Sequence, residues 1–117
     1  MEESKMHLIN KLFNNETIRT IWDKEQEKYY VSLVDVVGVL SGSENPRDYW
    51  KVLKHRLKKE GNQSVTNCNQ LKLKSKDGKY YNTDVCDIEG MFRIIESIPS
   101  KNAEPVKQWL AKLGSER

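Results

Sequence analysis

Cysteine is scarce in this chain: Cys68 and Cys86 are its only two. Two isolated thiols make no disulfide framework and fit a reducing compartment, so a cytoplasmic protein is the expectation. Together with His7 and His55 they form no metal-ligand spacing such as a pair of Cys-x-x-Cys motifs. The six glycines are scattered, and no Gly-rich loop that could cradle a phosphate is present. No apolar run approaches the roughly 18 residues of a membrane span, so no membrane partner is expected. The opening MEESKMHLINK lacks a basic start followed by an apolar core and is no signal peptide. No Ser, His and Asp constellation stands out. Asp35 and Asp87 suit helix starts, where a carboxylate favours the helix dipole, better than paired catalysis. The expectation is therefore a binding protein, not an enzyme, with no cofactor.

What the chain has in quantity is charge. Charged residues make up 32% of its 117 residues and hydrophobic ones 37%, which suits one domain with a core under a heavily charged surface. The net charge of +3 says little by itself. Its distribution says more. Ten Lys or Arg residues lie between Arg47 and Lys79 against three acids, Asp48, Glu60 and Asp77, a local net of +7 in a chain whose remainder is net negative. A local basic excess points to an anionic partner.

A short unit occurs on both sides of this segment. KYYVSLVDVVGVL starts at Lys28 and KYYNTDVCDIEGMF at Lys79. Each runs from Lys-Tyr-Tyr into Asp, an apolar residue, any residue, Gly and two apolar residues. The alternation of TIRTIWD and the polar KEQE predict a hairpin with KYYVS as its returning strand. Ser32 then caps a short apolar helix over Leu33 to Leu40. LKLKSKDGKYYNT predicts a second hairpin around a two-residue Asp77-Gly78 turn. Thr83 or Asp84 is expected to cap the helix that follows, with Val85, Ile88, Phe92 and Ile95 on one face. GNQSVTNCNQ reads as a polar loop. A last helix starts near Pro105, with Val106, Trp109, Leu110 and Leu113 on one side.

Between the units, Asn45-Pro46 opens a helix that ends at Gly61. At about 100° per residue, Arg47, Lys51, Lys54 and Lys58 share a stripe about 60° wide. Tyr49, Trp50, Leu53 and Leu57 form the apolar face. Four like charges in a row repel one another, and the phosphates of a nucleic acid would relieve that repulsion. Lys72, Lys74, Lys76 and Lys79 of the second hairpin offer a further contact. Plainer readings stand beside this one. Lysine stripes often face only solvent, and exposed strands carry Lys to discourage edge pairing.

NPRDYWKVLKHRLKKEG, DGKYYNTDVCDIEGMFRIIESIPS and AEPVKQWLAKLGSER resemble the BRO-N domain of phage antirepressors and viral BRO proteins. TIWDKEQEKYYVSLVDVVGVL is similar to that domain's opening. The resemblance covers residues 9 to 117. It implies an α+β domain that binds nucleic acid at the N-terminal end of a longer protein, and a short strand near Ile9 to Phe13. Cys86 stands where a smaller residue is expected. Some members of the family act by binding a repressor protein, so DNA contact does not follow from the resemblance alone. The expected architecture is two hairpin-plus-helix units bracketing a basic amphipathic helix, with a C-terminal helix, in one domain over residues 1–117. The expected function is DNA binding, duplex more than single-stranded, in a prophage-type transcriptional regulator or antirepressor. Arg47, Lys51, Lys54, Lys58, Lys72, Lys74, Lys76 and Lys79 would be its phosphate contacts. Capture of a phage repressor without DNA binding is the alternative, and a homodimer stays open.

Overall fold

A computed structural model describes residues 6–13, 16–61 and 68–115. The elements run β1 (Met6–Phe13), β2 (Glu16–Asp23), β3 (Lys28–Ser32), α1 (Leu33–Ser41), α2 (Pro46–Lys59), β4 (Asn69–Lys74), β5 (Tyr80–Asp87), α3 (Ile88–Ile95) and α4 (Ala103–Ser115). The five strands form one antiparallel sheet in the order β1-β2-β3-β5-β4. The fold is α+β, and the stretch around Ile9 to Phe13 is strand. Residues 62–67 of the expected polar loop lie outside the described residues, while Asn69 and Gln70 at its end belong to β4. No helix among the described residues is long and apolar enough to cross a membrane.

Side chains opposite one another across a ladder share a face of the sheet. The pairs Thr20↔Val31 and Val31↔Cys86 mark the face on which the helices pack. There Ile18, Val31 and Cys86 join Leu33, Val36, Trp50, Leu53, Met91, Ile94 and Leu110 in the main core. Ile21, Tyr30, Val85 and Leu73 form a smaller buried cluster on the opposite face. The central strands are thus apolar on both sides. In β2 this replaces strict alternation with a burial pattern in which Thr20 and Ile21 are both buried.

Local chemistry sets the ends of the first unit and the basic helix. Ser32 Oγ accepts from Asp35 N at 3.4 Å and starts α1. Gly42 ends it with φ 68°, a left-handed conformation that costs glycine little. Asn45 Oδ1 accepts from Asp48 N at 3.2 Å and Pro46 takes the first helical position of α2. A Cβ on Gly38 would sit 3.2 Å from Pro46 Cγ, so α1 and α2 meet closely there.

The second unit departs from the expected boundary. The chain stays extended through Thr83 and Asp84, and the cap of α3 is Asp87, whose Oδ1 accepts from Gly90 N at 2.9 Å. The β4 ladder over residues 80–85 holds Thr83 and Asp84 in the strand, and the β3 ladder over residues 85–87 carries the strand on to Asp87. Val85 is consequently a sheet residue of the smaller cluster, not a helix-face residue. Met91, Ile94 and Ile95 are the buried positions of α3, and Phe92 is half-buried. The last helix begins at Ala103, ahead of Pro105, and buries Val106, Leu110 and Leu113, while Trp109 is half-buried.

The two thiols, expected to be isolated, are neighbours. Extending the β4–β5 register one step beyond Asn69↔Val85 puts Cys68 opposite Cys86. The hydrogen bond between them lowers the Cys68 thiol below its ordinary range. The same bond, together with burial, raises Cys86. Thiolate is the reacting form, and Cys68 is also the less buried of the two, so it is expected to react first. Iodoacetamide in native buffer near pH ~8 should alkylate Cys68 well before Cys86, as read by peptide mass spectrometry over time. Equal rates at the two positions would contradict this pairing.

Candidate nucleic-acid interface

Helix α2 buries Trp50, Leu53 and Leu57. Tyr49, expected on that apolar face at its edge, is 36% exposed. Val52, between the two faces, is 64% exposed. Of the expected basic ridge, Arg47, Lys51 and Lys58 are exposed. Arg47 lies over the ring of Tyr81 at 5.7 Å from its centroid, within the range of a cation–π contact. Lys54 behaves differently. It is half-buried, and its Nζ lies 2.8 Å from Asp84 Oδ2. Its charge is spent inside the protein, and the ridge offers three cations rather than four.

Asp84 gathers donors from two elements. Trp50 Nε1 and Lys54 Nζ of α2 donate to Oδ2, each at 2.8 Å. Gln70 Nε2 of β4 donates to Oδ1 at 2.9 Å. Burial by itself would raise the Asp84 carboxyl, but the bonds from Lys54, Trp50 and Gln70 outweigh it and hold the carboxyl below the usual carboxylate range. By composition Asp84 looks like a helix cap, and no local signal marks its role, since Trp50 and Gln70 lie far from it along the chain.

Beyond Asp84 the β4–β5 ribbon runs out to its turn. Gly78 N donates to Ser75 O at 3.0 Å and Ser75 N to Lys79 O at 2.8 Å. With Gly78 at φ 87°, this is a three-residue loop, Lys76 to Gly78, in place of the expected two-residue turn. Asp77 tightens it by accepting from Lys79 N at 2.9 Å and from Tyr81 Oη at 2.6 Å. The Tyr81 bond holds the Asp77 carboxyl below its usual range and raises the Tyr81 phenol. Lys72, Lys74, Lys76 and Lys79 are all exposed, and none has an ion pair to a described residue.

A cleft of about 600 Å³ separates the start of β2 from the ribbon turn, over α1 and the first turn of α2. Glu16, Arg19, Asp35, Arg47, Lys74 and Lys76 supply its charges. Arg19 grips Asp35 through Nε at 2.6 Å and Nη2 at 3.0 Å, and its backbone N adds a bond at 3.0 Å. Its Nη1 crosses to Lys74 O at 3.1 Å. Because Arg19 and Asp35 neutralise each other, Arg47, Lys74 and Lys76 leave the cleft positive against Glu16 alone. In the sequence Arg19 is only part of the TIRTIWD alternation, which gives it no role. The ridge of α2, the cleft and the ribbon form one cationic surface. Among the described residues no group of three His, Cys, Asp or Glu could hold a metal ion.

The faces of α2 predict two different charge reversals. Lys51→Glu should change stability by no more than about 0.5 kcal/mol, as an exposed substitution does. Lys54→Glu places a carboxylate against Asp84 and should lower the melting temperature clearly in the same scan. Similar losses from both would contradict the assignment.

Asp84 also predicts a pH dependence. Its folded pKa lies below that of an ordinary carboxylate, so its contribution is complete above the ordinary value and is lost as pH falls through the folded pKa. The stability gap between the wild type and Asp84→Asn should therefore be flat near neutral pH and shrink below about pH 4. A gap that stays constant in denaturant titrations down to about pH 2 would contradict it.

A family model described as the BRO family, N-terminal domain, matches residues 17–115. No curated protein and no solved structure matches the chain. The match runs from the first residues of β2 to the last residue of α4 and so takes in the ridge, the cleft and the ribbon. The chain belongs to the BRO family, and what is described above is that family's N-terminal domain.

Proposed function

We propose that the domain binds duplex DNA as part of a phage-type transcriptional regulator or antirepressor. The observation that carries the reading is seven exposed cations on adjacent elements, none with an ion pair to a described residue: Arg47, Lys51 and Lys58 on α2, and Lys72, Lys74, Lys76 and Lys79 on the ribbon and its turn. Such a surface repels itself until an anion of regular charge spacing covers it. A duplex supplies that spacing, and neutralising its phosphates releases counterions. Membership of a family of phage and viral regulatory proteins supports the same reading. Two cysteines that form no disulfide fit a cytoplasmic setting for it.

The seven cations cannot all reach phosphates at once, and about four to six contacts are expected. Fluorescence anisotropy with a labelled duplex should then give log K falling against log salt with a slope on the order of −4 to −5, without any added cofactor. Absence of binding at about 50 mM salt would overturn the proposal. It would favour capture of a repressor protein, which a pull-down with the neighbouring phage repressor would then detect.

A further inference from the structure

One face of the β4–β5 ribbon is unlike a merely solvated strand surface. The register sets Gln70 opposite Asp84, Lys72 opposite Asn82 and Lys74 opposite Tyr80, so these six side chains share a face. This is the face on which α2 reaches Asp84, continued outward past the helix. Lys72, Lys74, Tyr80 and Asn82 are all exposed there, and Tyr80 is 63% exposed. None of the four side chains has a hydrogen bond or ion pair to a described residue. The opposite face is anchored, with Leu73 and Thr83 buried.

Lysines alone would be accounted for by protection of an edge strand, since β4 lies at the end of the sheet. Asn82 is not. Asparagine is disfavoured in strands, because its amide competes for backbone groups. Here it stands in the middle of β5 with no partner and directly beside a lysine. The two side chains present a donor–acceptor amide and a cationic donor side by side on an open ribbon.

Two paired strands about 4.8 Å apart fit within a major groove about 12 Å wide. There an Asn amide matches adenine N6 and N7, and a Lys ammonium matches guanine O6 and N7. Cβ atoms of residues directly opposite lie about 5 Å apart, close enough for Lys72 and Asn82 to address neighbouring base pairs. Lys74 and Lys79 on the ribbon and Arg47 at the helix start then flank the groove where its phosphates run. We infer that the Lys72–Asn82 pair reads base edges in the major groove and gives the domain a sequence preference over neighbouring base pairs. This rests on the duplex-binding reading above and deepens it.

The test is selection of binding sites from a randomised duplex pool, followed by anisotropy on the enriched and scrambled duplexes. The wild type should enrich a short motif containing adenine. Asn82→Ala should abolish the adenine preference, a discrimination of about 5- to 150-fold, while leaving scrambled-duplex affinity and the salt slope unchanged. Lys72→Ala should relax a neighbouring position. Lys74→Ala should instead weaken all sequences alike and make the slope shallower by about 1. Circular dichroism melts confirm that these exposed substitutions leave the fold intact. Duplex binding by the wild type without any enriched motif overturns this inference and leaves the duplex reading standing. So does a motif that survives unchanged in Asn82→Ala. Absence of all duplex binding overturns both. Tighter binding to single strands that depends on Tyr80, as read with Tyr80→Ala, overturns groove reading in favour of base stacking.

Discussion

The relation between the basic helix and the ribbon depends on one half-buried carboxylate. Asp84 stands on β5, takes two bonds from α2 and a third from β4, and so joins three elements at one point. The chain around residues 62–67 is the only covalent link from α2 to β4, and Asp84 is a polar tie that does not run through it. Removing a carboxylate from water costs several kcal/mol unless donors replace the lost hydration. Three donors at hydrogen-bonding distance do so here. The same geometry explains why Lys54 is not a surface cation. It faces Asp84 from the border of the apolar stripe, with its stem along the core and its ammonium on the carboxylate.

Much of the domain is legible from sequence where the signals are local. Ser32, Asn45-Pro46, Gly42 and Gly61 mark helix ends that a few neighbouring atoms decide. The hairpins follow from alternation and turn residues. Apart from the ribbon turn, where a three-residue loop replaces the expected two-residue one, the errors fall where partners distant in sequence decide the outcome. Thr83 and Asp84 look like helix caps by composition, yet pairing with β4 keeps them in the strand, and pairing with β3 carries it on to Asp87. Tyr49 and Lys54 sit near the boundaries between the apolar and polar arcs of α2. Periodicity does not report that Asp84, thirty residues on, faces Lys54. Arg19 and Asp35 are sixteen residues apart and carry no motif.

The repeated Lys-Tyr-Tyr unit shows one local device used in two settings. β3 and β5 are neighbours in the sheet, and each leads straight into a helix. In the first copy Asp35 lies inside the first turn of α1 and is taken by Arg19. In the second, the strand stays extended through Asp87 itself, which therefore lies just outside α3 and caps it. The tyrosines diverge as well. Tyr30 is buried in the smaller cluster, and its hydroxyl donates to Gln26 Oε1 at 3.0 Å. Tyr80 and Tyr81 lie where the ribbon has passed the body of the domain and remain exposed. The unit supplies a strand that turns into a helix. What its side chains do is decided by where the sheet ends.

The bond from Arg19 Nη1 to Lys74 O has a mechanical side. A two-stranded ribbon is marginal by itself and bends easily away from its root. This bond reaches it at the last residue of β4, next to the turn, and fastens it through Arg19 to both β2 and Asp35. The ribbon is thus held at two places, as a strut rather than a cantilever. A strut has less freedom to lose when a partner grips it, so more of the contact energy remains as affinity. The cleft beneath it is the open space that the span encloses.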